Sequence, residues 1–180
     1  LARAGDVAAL DKLDREIVES DALVGDLLAG SRLDFSALKK TRLRASELAT
    51  RAMELTEESI EKLNVESDAA IDGDATLALR AVVNLIENAR RHGGGLSELR
   101  VTAEGRLVRF CAEDDGPGFA PGDDVRAFEP FQTGGEAPRS IGIGLSLVRR
   151  IAEAHGGRAF AENRQPRGAR VTVEIPAASA

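Results

Sequence analysis

"DATLALRAVVNLIENARRHGGG", residues 74–95, is the stretch on which the reading of this chain turns. Asp74 is placed to cap a helix, and Gly93-Gly94-Gly95 ends it at about His92. Leu79, Val82, Val83 and Ile86 give that helix an apolar side, as a core helix requires. Asn84 and Asn88 are four residues apart, so they share a face and stack one turn above the other. Asn is a mediocre helix former, and a buried amide without partners is costly. Two amides on such a helix need polar company.

Working outward, two alternating runs, Leu99 to Glu104 and Leu107 to Glu113, join at Gly105 and predict a β-hairpin. Residues 114–141 are rich in Gly, Pro and Asp and show no convincing helix or strand; a loop that long inside a domain is usually functional. A helix is expected from about Gly144 to His155, ended by Gly156-Gly157. A closing hairpin follows, Arg158 to Asn163 and Ala169 to Ile175, turning at Gln165-Pro166-Arg167-Gly168. Upstream, Asp72-Gly73-Asp74 reads as a turn and Glu61 to Ser67 as a short strand. A helix from Ser46 to about Ser59 has Ser46 as its cap and Leu48, Ala52 and Leu55 inward, after a break in register over Phe35 to Arg44. Near the start, Gly5-Asp6 opens a helix on which Leu10, Leu13, Ile17, Val24 and Leu27 form a heptad seam, with Ser20 at the missing step. So short a seam requires a partner helix, or the rest of this chain, to pack against. Helices and strands mix without strict alternation. The fold class expected is α/β: a two-layer sandwich of mixed, largely antiparallel sheet and helices, with an N-terminal bundle helix.

Composition narrows the function classes. A chain of 180 residues, 43% apolar, holds one ordinary domain and an appendage. The net charge of -6 and a pI near 5.1 argue against nucleic acid as a partner. One Cys rules out an internal disulfide and fits a reducing, cytoplasmic compartment. That residue, Cys111, lies in a strand-like run and reads as a small buried side chain rather than a reactive thiol. No run reaches the apolar length of a membrane span, and the start has no signal-peptide pattern. The chain begins with Leu, so it is expected to be a piece of a longer protein, whose upstream segments could hold a membrane anchor.

Three segments carry the chemistry: the Asn helix, "DDGPGF" (114–119) and "IGIGLSLVRR" (141–150). Singly, each has a plain reading, as a self-satisfied helix, a turn after a strand, or an ordinary helix start. Together they suit a nucleotide. Gly142 and Gly144 let backbone N–H groups converge before a helix N-terminus, which attracts phosphate. Gly116 and Gly118 let a loop approach a flat ligand, and Asp114 offers a carboxylate that accepts hydrogen bonds from an adenine amino group. Mg²⁺ takes oxygen ligands, keeps waters and needs few protein groups, so one Asn oxygen on a rigid helix serves it.

With these residues in view, the sequence resembles a known family. "NLIENARRH" (84–92), "DDGPGF", "FEPF" (128–131) and "GIGLSLV" (142–148) resemble the N, G1, F and G2 boxes of the histidine-kinase ATP-binding domain, which has the Bergerat (GHKL) fold. All four occur in family order at family spacing, across roughly residues 42 to 176, and "AHGG" (154–157) matches as well. The resemblance implies ATP and Mg²⁺ as cofactors, with Asn88 as the metal ligand and Asn84 as a supporting polar residue. It places Arg91 near the phosphates, His92 against the nucleotide, and Asp114 on the adenine amino group. Gly116 and Gly118 would shape the pocket, Phe131 and Leu145 border it, and Gly142 and Gly144 meet the phosphates. Residues 132–141 would form an ATP lid from which Arg139 reaches the γ-phosphate, with Ser140 where the family often has a first Gly.

Residues 1–35 resemble the end of the dimerisation and phosphotransfer hairpin of sensor kinases, leaving 36–180 as the catalytic ATP-binding domain. Neither His92 nor His155 has the context of a phosphoacceptor; His155, at a helix end, reads as a capping or packing residue. The expected partners are the acceptor helix of the same kinase, in cis or from a second subunit of a homodimer, and a response regulator. In hydrolysing GHKL proteins a Glu one turn before the metal-binding Asn acts as general base. Here that position is Asn84, which cannot take a proton, and Glu87 points about 100° away round the helix. The rival readings are a GHKL ATPase, a nucleotide-binding scaffold, and an anti-sigma-type serine kinase, the last disfavoured by the helix over residues 10–28.

Overall fold

The computed structural model describes residues 38–129 and 144–179. The heptad seam, the expected hairpin remnant over 1–35, and Phe131, Arg139, Ser140 and Gly142 fall outside them. Among the described residues the order is β1 (Lys40–Arg44), α1 (Ala45–Leu55), a 3-10 turn (Ile60–Lys62), β2 (Leu63–Val65), β3 (Ala70–Asp74), α2 (Ala75–His92), β4 (Leu96–Glu104), β5 (Leu107–Asp114), α3 (Asp123–Arg126), α4 (Gly144–Ala154), β6 (Arg158–Asn163) and β7 (Ala169–Pro176). Strands β2-β4-β5-β7-β6 make one sheet, in which only the β2–β4 pair is parallel. β1 and β3 form a separate antiparallel ribbon. The expected two-layer α/β architecture, mixed and largely antiparallel, is what the chain adopts.

Register sorts the side chains of the sheet into two faces. Leu99, Ala112, Val171 and Ala161 lie in one cross-strand row, and Val101, Phe110, Val173 and Ala159 in the next. These rows meet Leu48, Ala52 and Met53 of α1, Val82, Leu85 and Ile86 of α2, and Leu145, Val148 and Ala152 of α4 in one apolar core. The opposite face alternates in phase: Glu113 and Arg170 in one row, Cys111 and Thr172 in the next, Arg109 and Glu174 in the third. Its charges pair with each other, Arg109 and Arg158 each reaching Glu174 within 2.9 Å. Burial opposes the charge on Glu174, but the two guanidiniums prevail and hold its carboxyl below the usual range. Burial pushes the Cys111 thiol up, as a small packed side chain requires.

Several local expectations are corrected. Residues 40–44 form a strand that periodicity does not reveal, because this mostly exposed ribbon owes its conformation to pairing with β3. Asp72-Gly73-Asp74 is the end of β3 rather than a turn, and Gly73 is required there because a Cβ would sit 2.8 Å from the His155 ring. Ser46 does not cap α1: Arg44 holds the cap position without a side-chain bond, and the Ser46 hydroxyl donates to Asp68 at 2.8 Å. α1 stops at Leu55, not Ser59, because Glu57 turns left-handed (φ 55°) and the Glu58 N–H returns to the Met53 carbonyl. The strand expected over 61–67 shrinks to Leu63–Val65 behind the 3-10 turn, and the loop after Asp114 contains the short helix α3. Asp74 does cap α2, its Oδ1 accepting from the N–H groups of Thr76 and Leu77.

His155 packs where α4 ends. Its Nε2 faces the backbone N–H of Asp74 at 3.0 Å, and an N–H can only donate. Nε2 is therefore the acceptor, and the proton sits on Nδ1, which donates to the Ile151 carbonyl at 2.7 Å. This imidazole joins the end of α4 to the start of α2, which is the packing role expected for it.

Candidate functional site

The C-terminal half of α2 carries Asn84, Asn88, Arg91 and His92, and the core packing of Leu85, Ile86 and Ala89 fixes their direction. Asn84 is buried, and its Nδ2 has no hydrogen-bond partner among the described residues. Asn88, one turn on, is half-buried on the same face. The cations that follow have separate tasks. Arg90 turns to α1, donating to the Thr56 carbonyl at 3.1 Å, where a positive group suits a helix C-terminus. Arg91 pairs with Glu87 at 3.2 Å on the exposed side, so in this structure both charges are engaged with each other. His92 keeps an exposed edge, but burial on its protein side, then the Arg91 charge, hold its pKa below the usual histidine value, with Asp114 opposing.

The end of α2 meets the end of β5. A Cβ on Gly93 would lie 2.1 Å from the Asp114 side chain, and one on Gly116 would lie 2.6 Å from Gly93 Cα. Only glycines let the helix end, the carboxylate and the following loop converge so closely. Asp114 is 3% exposed. Its Oδ1 accepts two backbone N–H groups, Gly116 at 2.9 Å and Ala169 at 3.1 Å. Among the described residues no donor is directed at Oδ2. A buried carboxylate with one oxygen tied by the backbone is a fixed acceptor of the kind that reads an amino group.

Gly118 has φ +78°, and a Cβ there would strike the Asn163 side-chain oxygen at 2.5 Å. Asn163 grips the neighbouring residue, accepting from the Phe119 N–H (2.7 Å) and donating to the Phe119 carbonyl (2.9 Å). Phe128 is buried in the core. Gly144 opens α4, and a Cβ there would meet nothing within 4 Å among the described residues, while Leu145 beside it is buried. α4 packs alongside α2, so the glycine start and the Asn face belong to neighbouring helices.

Motif reading missed the contribution of the β6–β7 turn: Asn163, Arg164, Arg167, Gly168 and Ala169 all touch residues 113–119. A polar turn with two arginines is the only sequence signal, and it does not say which loop the turn will cover.

Comparison with known proteins agrees with this fold. Residues 73–179 match the family described as histidine kinase-, DNA gyrase B- and HSP90-like ATPase. The sensor protein KdpD of Escherichia coli (strain K12) is 30% identical over 175 residues, covering 92% of this chain and 20% of KdpD. Full-length ShkA, solved in complex with AMPPNP, superposes with a TM-score of 0.76 at 26% identity, over 100% of this chain and 40% of ShkA. Histidine kinase ThkA, solved in complex with the response regulator TrrA, shares the fold with a TM-score of 0.77 at 24% identity, over 99% of this chain and 53% of ThkA. The chain spans 20% to 41% of the length of the curated relatives it matches. It belongs to the histidine kinase-, DNA gyrase B- and HSP90-like ATPase family, and its fold is that of the sensor histidine kinase catalytic domain.

Proposed function

We propose that this chain binds ATP with Mg²⁺ and transfers the γ-phosphoryl group to a histidine on a dimerisation helix outside it, for relay to a response-regulator aspartate. Residues 1–35 are the remainder of that hairpin and 36–180 the catalytic domain, working on the cytoplasmic side of a homodimeric kinase. The observation that carries the reading is Asp114, a buried carboxylate whose Oδ1 is tied by two backbone amides while Oδ2 is left for a ligand donor.

The phosphate end is consistent with it. Asn84 presents a buried amide nitrogen without a partner beside Asn88, which is the state expected of a polar face completed by a ligand. Among the described residues no group of three or more His, Cys, Asp or Glu is arranged to hold a metal. A single Asn oxygen fits Mg²⁺, which prefers phosphate and water oxygens and would supply charge neutralisation at the γ-phosphate. Asn88 would hold the ion, and Gly144, whose Cβ position none of the described residues approaches within 4 Å, would admit the phosphates. Arg139 would reach the γ-phosphate, and Phe131, Gly142 and Leu145 would border the nucleotide.

In the transfer, the bond from the γ-phosphorus to the β–γ bridging oxygen breaks and ADP leaves with its electron pair. A bond forms to an imidazole nitrogen of the acceptor histidine, whose proton passes to solvent. Neither amide of α2 can deprotonate water, and Glu87 is paired with Arg91. That arrangement preserves the γ-phosphate for transfer, which favours a kinase over an ATPase.

Asp114→Asn tests the reading cleanly. An Asn oxygen can keep both backbone bonds, which turns its NH₂ donor toward the ligand in place of the carboxylate oxygen. Calorimetric titration should find ATP affinity at least ~10-fold weaker, with GTP gaining relative to ATP. Unchanged ATP affinity would remove the assignment. Labelled ATP should leave the isolated chain without phosphohistidine while a supplied hairpin bearing the acceptor histidine becomes labelled.

A further inference from the structure

The β6–β7 turn wraps the loop that follows β5. Asn163 binds Phe119 through both backbone groups, and Arg167 Nε donates to the Asp115 carbonyl at 2.6 Å. Gly168, at φ +96°, lies so near the Asp114 carbonyl that a Cβ would come to 2.0 Å from its oxygen. Ala169 supplies one of the two N–H groups on Asp114 Oδ1.

Arg164 is the centre of this arrangement. Its Nε meets the Glu113 carboxylate at 3.0 Å. One terminal nitrogen donates to the Asp114 carbonyl at 2.7 Å, to Asp115 Oδ1 at 3.0 Å, and to Ser97 Oγ at 3.3 Å. A single planar guanidinium thus spans three successive residues, with Asp114 in the middle, and ties them to the start of β4. Glu113, only 2% exposed, is held from its other side by Arg170 at 2.8 Å. The guanidinium is therefore anchored on a buried carboxylate that is held from both sides. Its rigid fork suits the task, whereas a flexible ammonium binds as a point charge.

We infer that Arg164 is a positioning residue for base recognition: it fixes the backbone at Asp114, and so the direction of Oδ2, from the side of the sheet opposite the helices. The inference rests on the proposed reading of Asp114 as the adenine acceptor. Arg164 does not touch the nucleotide. It acts through the peptide on which the recognising carboxylate is mounted, and a small rotation there misaligns an acceptor whose hydrogen bond depends on angle. Selectivity for adenine is then set jointly by the loop after β5 and by a turn some fifty residues later in the chain.

The test is a comparison of ATP and GTP affinities, by calorimetry on the whole chain, for Arg164→Met, Arg164→Lys, Arg158→Met and the double variant Arg164→Met/Asp114→Asn. Arg164→Met should lower the ATP/GTP preference ~10-fold, the scale of one misaligned buried hydrogen bond. Arg164→Lys keeps the charge facing Glu113, so it should melt close to wild type while still losing part of the preference. It decides the matter if Arg164→Met does not fold. Arg158→Met removes an equivalent partner of the buried Glu174 on the same sheet face, so it should lower the melting temperature and leave the preference intact. In the Asp114→Asn background Arg164→Met should change the preference no further, because the two act on one bond. Full ATP/GTP preference in Arg164→Lys, or an equal loss in Arg158→Met, would overturn the inference while Asp114 remains the acceptor. A wild-type chain that binds no ATP would overturn both.

Discussion

The two ends of the candidate site are built differently. At the end proposed for adenine, Asp114, Gly116 and Phe119 are held by backbone amides, Asn163 and two arginines. Every contact there exists without a ligand. At the end proposed for the phosphates, Asn84 carries a buried amide nitrogen with no partner among the described residues, and a Cβ on Gly144 would meet none of them within 4 Å. The difference teaches how such a site divides its work. On the proposed reading, base recognition is pre-organised and would cost little on binding, whereas the phosphate end would be completed by what binds there.

The largest effect should come from disturbing the pre-built end. Gly168→Ala forces a Cβ against the Asp114 carbonyl in a backbone region that disfavours side chains. We expect a loss of about 3 kcal/mol or more in chemical unfolding, together with ATP affinity. A variant as stable as wild type would mean that the turn and the loop are not rigidly joined.

The opposite end should respond with the opposite sign. Asn84→Leu removes a buried polar atom that has no partner, replacing it with an apolar side chain of similar size. Unfolding should show stability unchanged or raised by about 1 kcal/mol, while calorimetry shows ATP binding with Mg²⁺ strongly weakened. Destabilisation of the ligand-free chain would show that Asn84 is structural, and the contrast between the two ends would collapse.

The smallest effect is on pH dependence, where the two ends meet at His92. Its pKa in the folded chain lies below the ordinary value of 6.5, through burial first and Arg91 second. Below 6.5 the unfolded chain therefore takes up the proton more readily than the folded one. The contribution to stability is full above that value and is lost as pH falls. Melting temperature followed from about pH 8 to about pH 5 should drop less in His92→Gln than in wild type. Equal slopes would place the ring outside the enclosed part of the site.

Long periodic elements were legible because their information is local. The 3.6-residue pattern and the Asp74 cap define α2, and strict alternation around Gly105 and across residues 158–175 defines both hairpins. The boxes announced Asp114 and the two asparagines because each needs glycines or amides at short spacing. β1 was not legible. Its residues are mostly exposed, so nothing in their order marks a strand. Gly73 reads as a turn because the histidine that forbids a side chain there comes 82 residues later.

By itself, the sequence determined the fold class and the family and singled out the residues of the candidate site, since patterning and short motifs are properties of neighbours along the chain. Tertiary structure alone decided which partners complete them. It sent Arg90 to the end of α1 and Arg91 to Glu87, and it set the proton of His155 on Nδ1 by bringing a backbone N–H to Nε2. It also laid Arg164 across three residues of a distant strand end. Long flexible cations can pair in many ways, and only packing of the elements that carry them selects one.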